Sequence, residues 1–265
     1  MKGATDTHIH IYDRAVPPAP GTLMPGHFDV PMYRELQRCL GLERVVVVQP
    51  NAYRDDNRVT LDAVKILGEG ARAVVVVDEA TPEKKLEAMT RAGAVAQRFF
   101  NLRGGSVQFD RMDAIMARVH PFGWHANLQL DGRELPKHEA QLRRLPGKFV
   151  IDHVGKFLEP VAPEDEAFVI LKKLLDTGRC WVKLSAPYET SKTGAPKYED
   201  VSRLARELVR HAPERMLWAT NWPHPMVPPG TLDDLDLLNL LEDWAPRETD
   251  RRRILVNNPA ELYGF

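Results

Sequence analysis

Eight short apolar runs, each followed by an amphipathic stretch, recur along the chain, and few architectures accommodate that rhythm. Arg44-Val45-Val46-Val47-Val48-Gln49-Pro50 and Ala73-Val74-Val75-Val76-Val77-Asp78 show no polar alternation, the pattern of strands buried on both faces. The other six runs are Ala4 to Tyr12, Val95 to Phe100, Trp124 to Leu130, Phe149 to His153, Cys180 to Ser185 and Met216 to Thr220. Helical stretches follow at Pro31 to Cys39, around Leu61, Val64, Ile66 and Leu67, after Thr81-Pro82-Glu83, and at Asp110 to Val119. They continue at Leu135 to Leu145, Phe168 to Leu175, Val201 to His211 and Leu235 to Trp244, with Glu248 to Val256 a last helix. Strand and helix alternating at this count predict an α/β fold, a (β/α)8 TIM barrel, with residues 1–265 as one domain. The rival, an open doubly wound sheet, would place a glycine-rich phosphate turn after its first strand. Here His8-Ile9-His10 stands there instead.

Charge narrows the partners. Lys plus Arg is 36 against 37 Asp plus Glu, a formal net charge of −1, so there is no global basic field for nucleic acid. An anionic substrate has to be met by a local cluster. No apolar run approaches the ~18 residues of a membrane span, so no membrane partner is expected. Cys39 and Cys180 lie far apart without CxxC spacing, which disfavours a disulfide framework and points to a reducing, cytoplasmic setting. A homo-oligomer stays open, because an interface helix looks like any other amphipathic helix. The Pro-rich segment from Pro17 to Gly26 is long for a loop, the kind that forms lids.

Barrel active sites lie at the C-terminal ends of the strands, so polar residues there are informative. The strand ends carry His8 and His10, Gln49 and Asn51, Asp78, Arg98 and Asn101, Gln129, Asp152 and His153, Lys183 with Ser185 and Tyr188, and Asn221 with His224. His8 and His10 point to one face because strand side chains alternate. Two adjacent imidazoles can bind a metal, polarise a carbonyl or move protons. Blander readings stand beside these: His153 as a core histidine, Arg98 as a barrel-bottom ion pair, Arg103 as a solvated loop residue. Lys183 could pair structurally with Asp152, and Asn221 and His224 could simply shape the turn after the eighth strand, the reading favoured for His224.

Asp6-Thr7-His8-Ile9-His10, Asp152-His153-Val154-Gly155-Lys156, Trp181-Val182-Lys183-Leu184-Ser185 and Ala219-Thr220-Asn221-Trp222-Pro223-His224-Pro225 together resemble the amidohydrolase superfamily. The resemblance runs from about Gly3 to Asn258-Pro259-Ala260-Glu261-Leu262-Tyr263. It implies a (β/α)8 barrel acting on small lactones that carry carboxylates. In metal-dependent members the resemblance also implies a His on the fifth strand, often a Lys on the fourth, and an Asp on the eighth. This sequence has Gln129, Arg98 and Asn221 at those places, and His125 sits at the wrong end of its strand. No cofactor is therefore expected. The alternative is a divalent metal such as zinc on His8, His10 and His153, which a cationic Arg98 would disfavour.

Asn221 also bears on the chemistry, since an amide cannot serve as general base for a hydrolytic water. Lactone isomerisation, in which a substrate hydroxyl attacks the lactone carbonyl, needs no such water, and an isomerising part of the branch is similar in carrying Asn here. The expected scheme is acyl transfer, isomerisation or hydrolysis, at a small sugar-acid lactone. His8, His10 and His153 grip the carbonyl oxygen, with His153 as base and Asn221 orienting. Gln49, Asn51, Arg98, Arg103, Gln129, Lys183 and Tyr188 are the expected substrate-binding residues, the cations holding the carboxylate. Two other classes remain: a metal-dependent hydrolase or decarboxylase on the same barrel, and a non-catalytic small-acid binding protein.

Overall fold

The valine runs do form the inner wall of the molecule. A computed structural model describes residues 1–265, and its strands are β1 (Thr5–Ile9), β2 (Arg44–Val48), β3 (Ala71–Val75), β4 (Ala94–Phe100), β5 (His125–Gln129), β6 (Phe149–Ile151), β7 (Cys180–Leu184) and β8 (Met216–Trp218). All pair in parallel with their sequence neighbours in one eight-stranded sheet. Closure comes from a parallel bridge between Ile9 and Trp222, with the Asn221 N–H donating to the His8 carbonyl at 3.0 Å and the His10 N–H to the Trp222 carbonyl at 2.8 Å. The fold is the expected single (β/α)8 TIM barrel.

Outside the strands lie α1 (Val30–Cys39), α2 (Arg58–Leu67), α3 (Glu83–Arg91), α4 (Met112–Val119), α5 (Leu135–Arg144), α6 (Glu166–Leu175), α7 (Glu199–His211) and α8 (Asp234–Trp244). The sequence of α7 shows why each helix lies against the sheet: Val201, Leu204, Ala205, Leu208 and Val209 form one buried stripe at helical spacing. Most of the apolar core sits between sheet and helices. A smaller cluster fills the barrel interior, where Val46, Val48, Val74, Ala96, Val150, Trp181 and Leu217 meet Leu262 and Tyr263. The last two belong to α10 (Asn258–Tyr263), which follows α9 (Glu248–Arg252) and one π-helical turn. The helix expected at Glu248 to Val256 thus continues through a π-helical turn to Tyr263, and this added last part closes the barrel's N-terminal end. No helix is long and apolar enough to cross a membrane.

Two local departures position the site. The β1–β2 register slips between Asp6 and Ile9, a bulge of the kind that re-aims side chains. In addition, β3 ends at Val75, so Asp78 lies in the following turn, where it accepts from the Thr81 hydroxyl at 2.8 Å rather than facing the barrel axis. The segment from Pro17 to Gly26 is tied to the turn after β2: the Ala19 N–H and the Thr22 hydroxyl both donate to the Ala52 carbonyl, at 2.8 and 2.9 Å.

Candidate functional site

At the C-terminal end of the barrel the interior becomes polar. His8 and His10 face each other with their Nε2 atoms 3.2 Å apart. The Val48 carbonyl, 2.7 Å from His10 Nδ1, can only accept, which puts that ring's proton on Nδ1 and leaves Nε2 bare. Lys183 donates to His8 Nδ1 at 3.1 Å, so His8 carries its proton on Nε2 and donates to His10. A directed chain therefore runs from an ammonium through two neutral imidazoles to a backbone carbonyl. Burial lowers the pKa of His10 to about 3, aided by the Arg98 charge, and lowers His8 well below its usual range, aided by Lys183.

Beneath the pair lies a fully buried ion pair. Lys183 Nζ is 3.1 Å from Asp152 Oδ1 and donates to Asn127 Oδ1 at 2.7 Å, while Asn127 Nδ2 donates to Asp152 Oδ2 at 2.9 Å. Burial alone would raise the Asp152 carboxyl. Lys183 and His8 outweigh it and hold the group well below the ordinary carboxylate range. Lys183 thus makes the pairing with Asp152 named as its structural alternative, and its ammonium also supports His8.

His153 stands beside them, its ring centroid 5.0 Å from that of His8 and its Nδ1 2.9 Å from the Ser185 hydroxyl. Burial lowers it to about 3, against the pull of Glu189. The backbone here is unusual: His153, Val154, Gly155 and Lys156 are consecutive left-handed residues, at φ 56°, 56°, 84° and 45°. Each non-glycine residue in that region costs about 1–2 kcal/mol, and Val154, being β-branched, is a marked outlier. Ala186, Asn221 and His224 share the conformation at φ 48°, 62° and 61°, so strained backbone gathers after β6, β7 and β8.

The remaining wall holds Arg98, which is only 4% exposed. It donates to the Gln49 carbonyl and to Gln129 Oε1, both at 2.6 Å, and its Nε–H has no partner. Those contacts lie at the tops of β2 and β5, which removes the barrel-bottom reading of Arg98. Opposite, Asn221 Nδ2 donates to the Tyr188 hydroxyl at 2.9 Å and to Glu189 Oε1 at 3.0 Å, and Glu189 pairs with Lys156. Burial would raise Glu189, but Lys156 and His153 hold its pKa below the usual value.

The structure therefore gathers His8, His10, Arg98, Gln129, His153, Lys183, Tyr188 and Asn221 into one cluster. Other expected residues stand apart. Gln49 spends its side chain on the loop before α2, donating to the Arg54 and Asp56 carbonyls and accepting from Thr60. Asn51 ties down the Gly104 carbonyl at 2.9 Å. Arg103 is exposed and joins no hydrogen bond or ion pair of the cluster. Sequence reasoning overlooked Asn127, Lys156 and Glu189. Asn127 shares a strand face with Gln129, a signal that was present; the other two lie on loops. His8, Asp152 and His153 have ligand-type atoms within 4.8 Å of one another, so a group able to hold a metal exists, and it includes a carboxylate the sequence reading had found missing.

Comparison with known proteins agrees with this arrangement. The amidohydrolase family model matches residues 5–265. The chain is 40% identical over 267 residues to the D-galactarolactone isomerase of Agrobacterium fabrum, covering 99% of this chain and 91% of that one. It is 35% identical over 274 residues to the 4-sulfomuconolactone hydrolase of Hydrogenophaga intermedia, covering 99% and 89%. An apo crystal structure from Agrobacterium tumefaciens superposes with a TM-score of 0.94 at 39% identity, covering 100% of this chain and 97% of that one.

Proposed function

The chain belongs to the amidohydrolase family, and on that premise we propose that it catalyses intramolecular acyl transfer, isomerising a small sugar-acid lactone that carries a carboxylate. One observation carries the reading: Arg98 is a buried guanidinium whose hydrogen-bond partners are both neutral oxygens and whose Nε–H is free, beside the imidazole pair. A buried cation without an anion is costly, and a substrate carboxylate completes it. The two relatives act on lactones, as their names state.

His8 Nε2–H, which donates to His10 in the structure, turns to the lactone carbonyl oxygen when substrate is bound and, backed by the Lys183 ammonium, is its donor as it gains negative charge. His153, with its Nδ1–H turned to Ser185, offers Nε2 to the proton of the attacking hydroxyl, and the nearby Glu189 charge stabilises the imidazolium so formed. The same proton returns to the ring oxygen that leaves. Asn221 cannot accept a proton, so water is not activated at that position, and this favours ring rearrangement over hydrolysis. The residues whose ligand atoms lie within 4.8 Å of one another are His8, Asp152 and His153; these would hold a divalent ion, with His10 Nε2 3.2 Å from His8 Nε2 beside them, and it would supply Lewis-acid polarisation of the carbonyl. The reading is metal-independent because Lys183 and Arg98 already place positive charge beside those rings.

Proton NMR of aldaric-acid lactones and pyrone dicarboxylates in deuterated buffer tests it. Rearranged lactone is the expected product, and His153→Ala abolishes its formation. Accumulation of ring-opened acid alone, or no turnover of any lactone, overturns the proposal.

A further inference from the structure

One row of contacts leads out of the site from Asn221 and Tyr188 to His224 and Asp234. Glu189 is an ionised carboxylate and can only accept, so the Asn221 atom 3.0 Å from its Oε1 must be the amide nitrogen. The second Asn221 N–H goes to the Tyr188 oxygen at 2.9 Å. With its oxygen accepting there, the Tyr188 hydroxyl sends its own proton to His224 Nδ1, also at 2.9 Å. His224 then carries its proton on Nε2, which lies 3.1 Å from Asp234 Oδ1. Both atoms are buried and neither has a hydrogen-bond partner, so the contact is one of charge and dipole at close range. Asp234 opens α8, where the helix dipole favours a negative charge. The turn that brings His224 to Tyr188 is held by the His224 N–H on the Asn221 carbonyl at 2.9 Å, with both residues left-handed.

The hydrogen bonds in this row donate in one direction, from Asn221 through Tyr188 to His224, and a 3.1 Å polar contact carries the row on to Asp234. Both amide protons of Asn221 are spent, so the carboxamide oxygen is the group left for a ligand. A flipped amide would set that oxygen against the Glu189 carboxylate. We propose that Asp234 and His224 are positioning residues that, through the Tyr188 hydroxyl, hold the Asn221 carboxamide with its oxygen toward the bound lactone. There it accepts a hydrogen bond from a neighbouring hydroxyl of the lactone and so fixes the angle at which the attacking hydroxyl, whose proton goes to His153, meets the carbonyl. This use of the amide rests on the isomerisation reading, and it replaces the turn-shaping role the sequence suggested for His224.

The test pairs a spectrum with kinetics. Side-chain ¹H–¹⁵N NMR of the full chain without ligand shows His224 as the Nε2–H tautomer, and Tyr188→Phe shifts its Nδ1 resonance. An Nδ1–H tautomer overturns the relay even if lactones are isomerised. A correct tautomer in a protein that turns over no lactone leaves the relay standing and sinks the function reading. With a turned-over lactone, His224→Leu lowers kcat about 10–100-fold, as misplacement of about 1 Å does, with KM little changed. His224→Asn, which places an acceptor near the former Nδ1, recovers part of the loss. Tyr188→Phe combined with His224→Leu is no slower than the slower single variant. Multiplying effects, a change in KM alone, or no rescue by Asn would refute the proposal; thermal unfolding of each variant identifies a fold defect, in which case Asp234→Asn takes its place.

Discussion

Replacing Lys183 by Met should unbalance the centre of the barrel, because its ammonium and the Asp152 carboxylate are both fully buried, 3.1 Å apart. At an effective dielectric of about 20, charges at that distance interact by about 5 kcal/mol. Breaking a buried pair by removing one partner costs roughly 3–5 kcal/mol, since the other charge is left uncompensated. Asn127 cannot make up the loss, as its amide already donates to Asp152 Oδ2. Urea unfolding at pH 7 should therefore show Lys183→Met destabilised by about 3–5 kcal/mol. Without Lys183, burial raises the Asp152 carboxyl, so it takes up a proton in the folded state first. The deficit should shrink as pH falls toward 5. Adding Asp152→Asn to the variant removes the orphaned charge and should recover most of the stability. A single variant losing less than about 1 kcal/mol, or a double variant no better than the single, would show that the pair is not held as described.

Arg98→Gln should raise KM for a carboxylate-bearing lactone by 2–4 orders of magnitude, about 3–5 kcal/mol, while the same lactone as its carboxamide is affected far less; steady-state kinetics on the two decides it. Acid should weaken the fold before ordinary carboxylates titrate. His10, His125 and His153 stay neutral to about pH 3 when folded but take up protons below about 6.5 when unfolded, so their contribution is complete above pH 6.5 and lost as pH falls. Asp6, raised by burial to about 6, works the other way and offsets about one proton. His8, held well below its usual range, adds a fourth imidazole, so unfolding takes up about three net protons and stability should fall by up to about 4 kcal/mol per pH unit between pH 6 and 4; a flat profile by chemical denaturation would contradict these environments. Turnover should survive chelation followed by elemental analysis showing no zinc or manganese; activity lost on chelation and restored by zinc would place an ion at the His8, Asp152 and His153 group.

Much of this was legible because two-sided burial and strand alternation write themselves into sequence. The Val45 to Val48 run could only be an interior strand, and the period of two set His8 beside His10. The same rule misplaced β3 by two residues. Val76 and Val77 are as apolar as their predecessors, but their N–H groups bond to Asn57 Oδ1 and Gln97 Oε1, both at 2.8 Å, rather than to a neighbouring strand. Apolar character does not distinguish those partners. Arg103 and Glu189 show the limit more sharply. Both are charged loop residues following a strand, yet one is solvated and the other is fixed by Lys156 and Asn221. The difference lies in the left-handed turn that carries Lys156 inward, and a run of such residues at non-glycine positions has no signature in periodicity.

The charges of the site, taken together, separate the candidate chemistries. Asp152 is matched by Lys183, Glu189 by Lys156, and Asp234 lies against His224. Asp6 accepts from the Thr220 and Tyr33 hydroxyls and from backbone N–H groups. No carboxylate is left over to act on water. The unmatched buried group is a cation, Arg98, and the eighth strand offers an amide whose two protons are already spent. A site built around a carboxylate base for hydrolysis would show the reverse, an unpaired anion near the carbonyl position. On the proposed reading, the site completes itself with an anionic substrate and directs one of that substrate's own hydroxyls at its carbonyl.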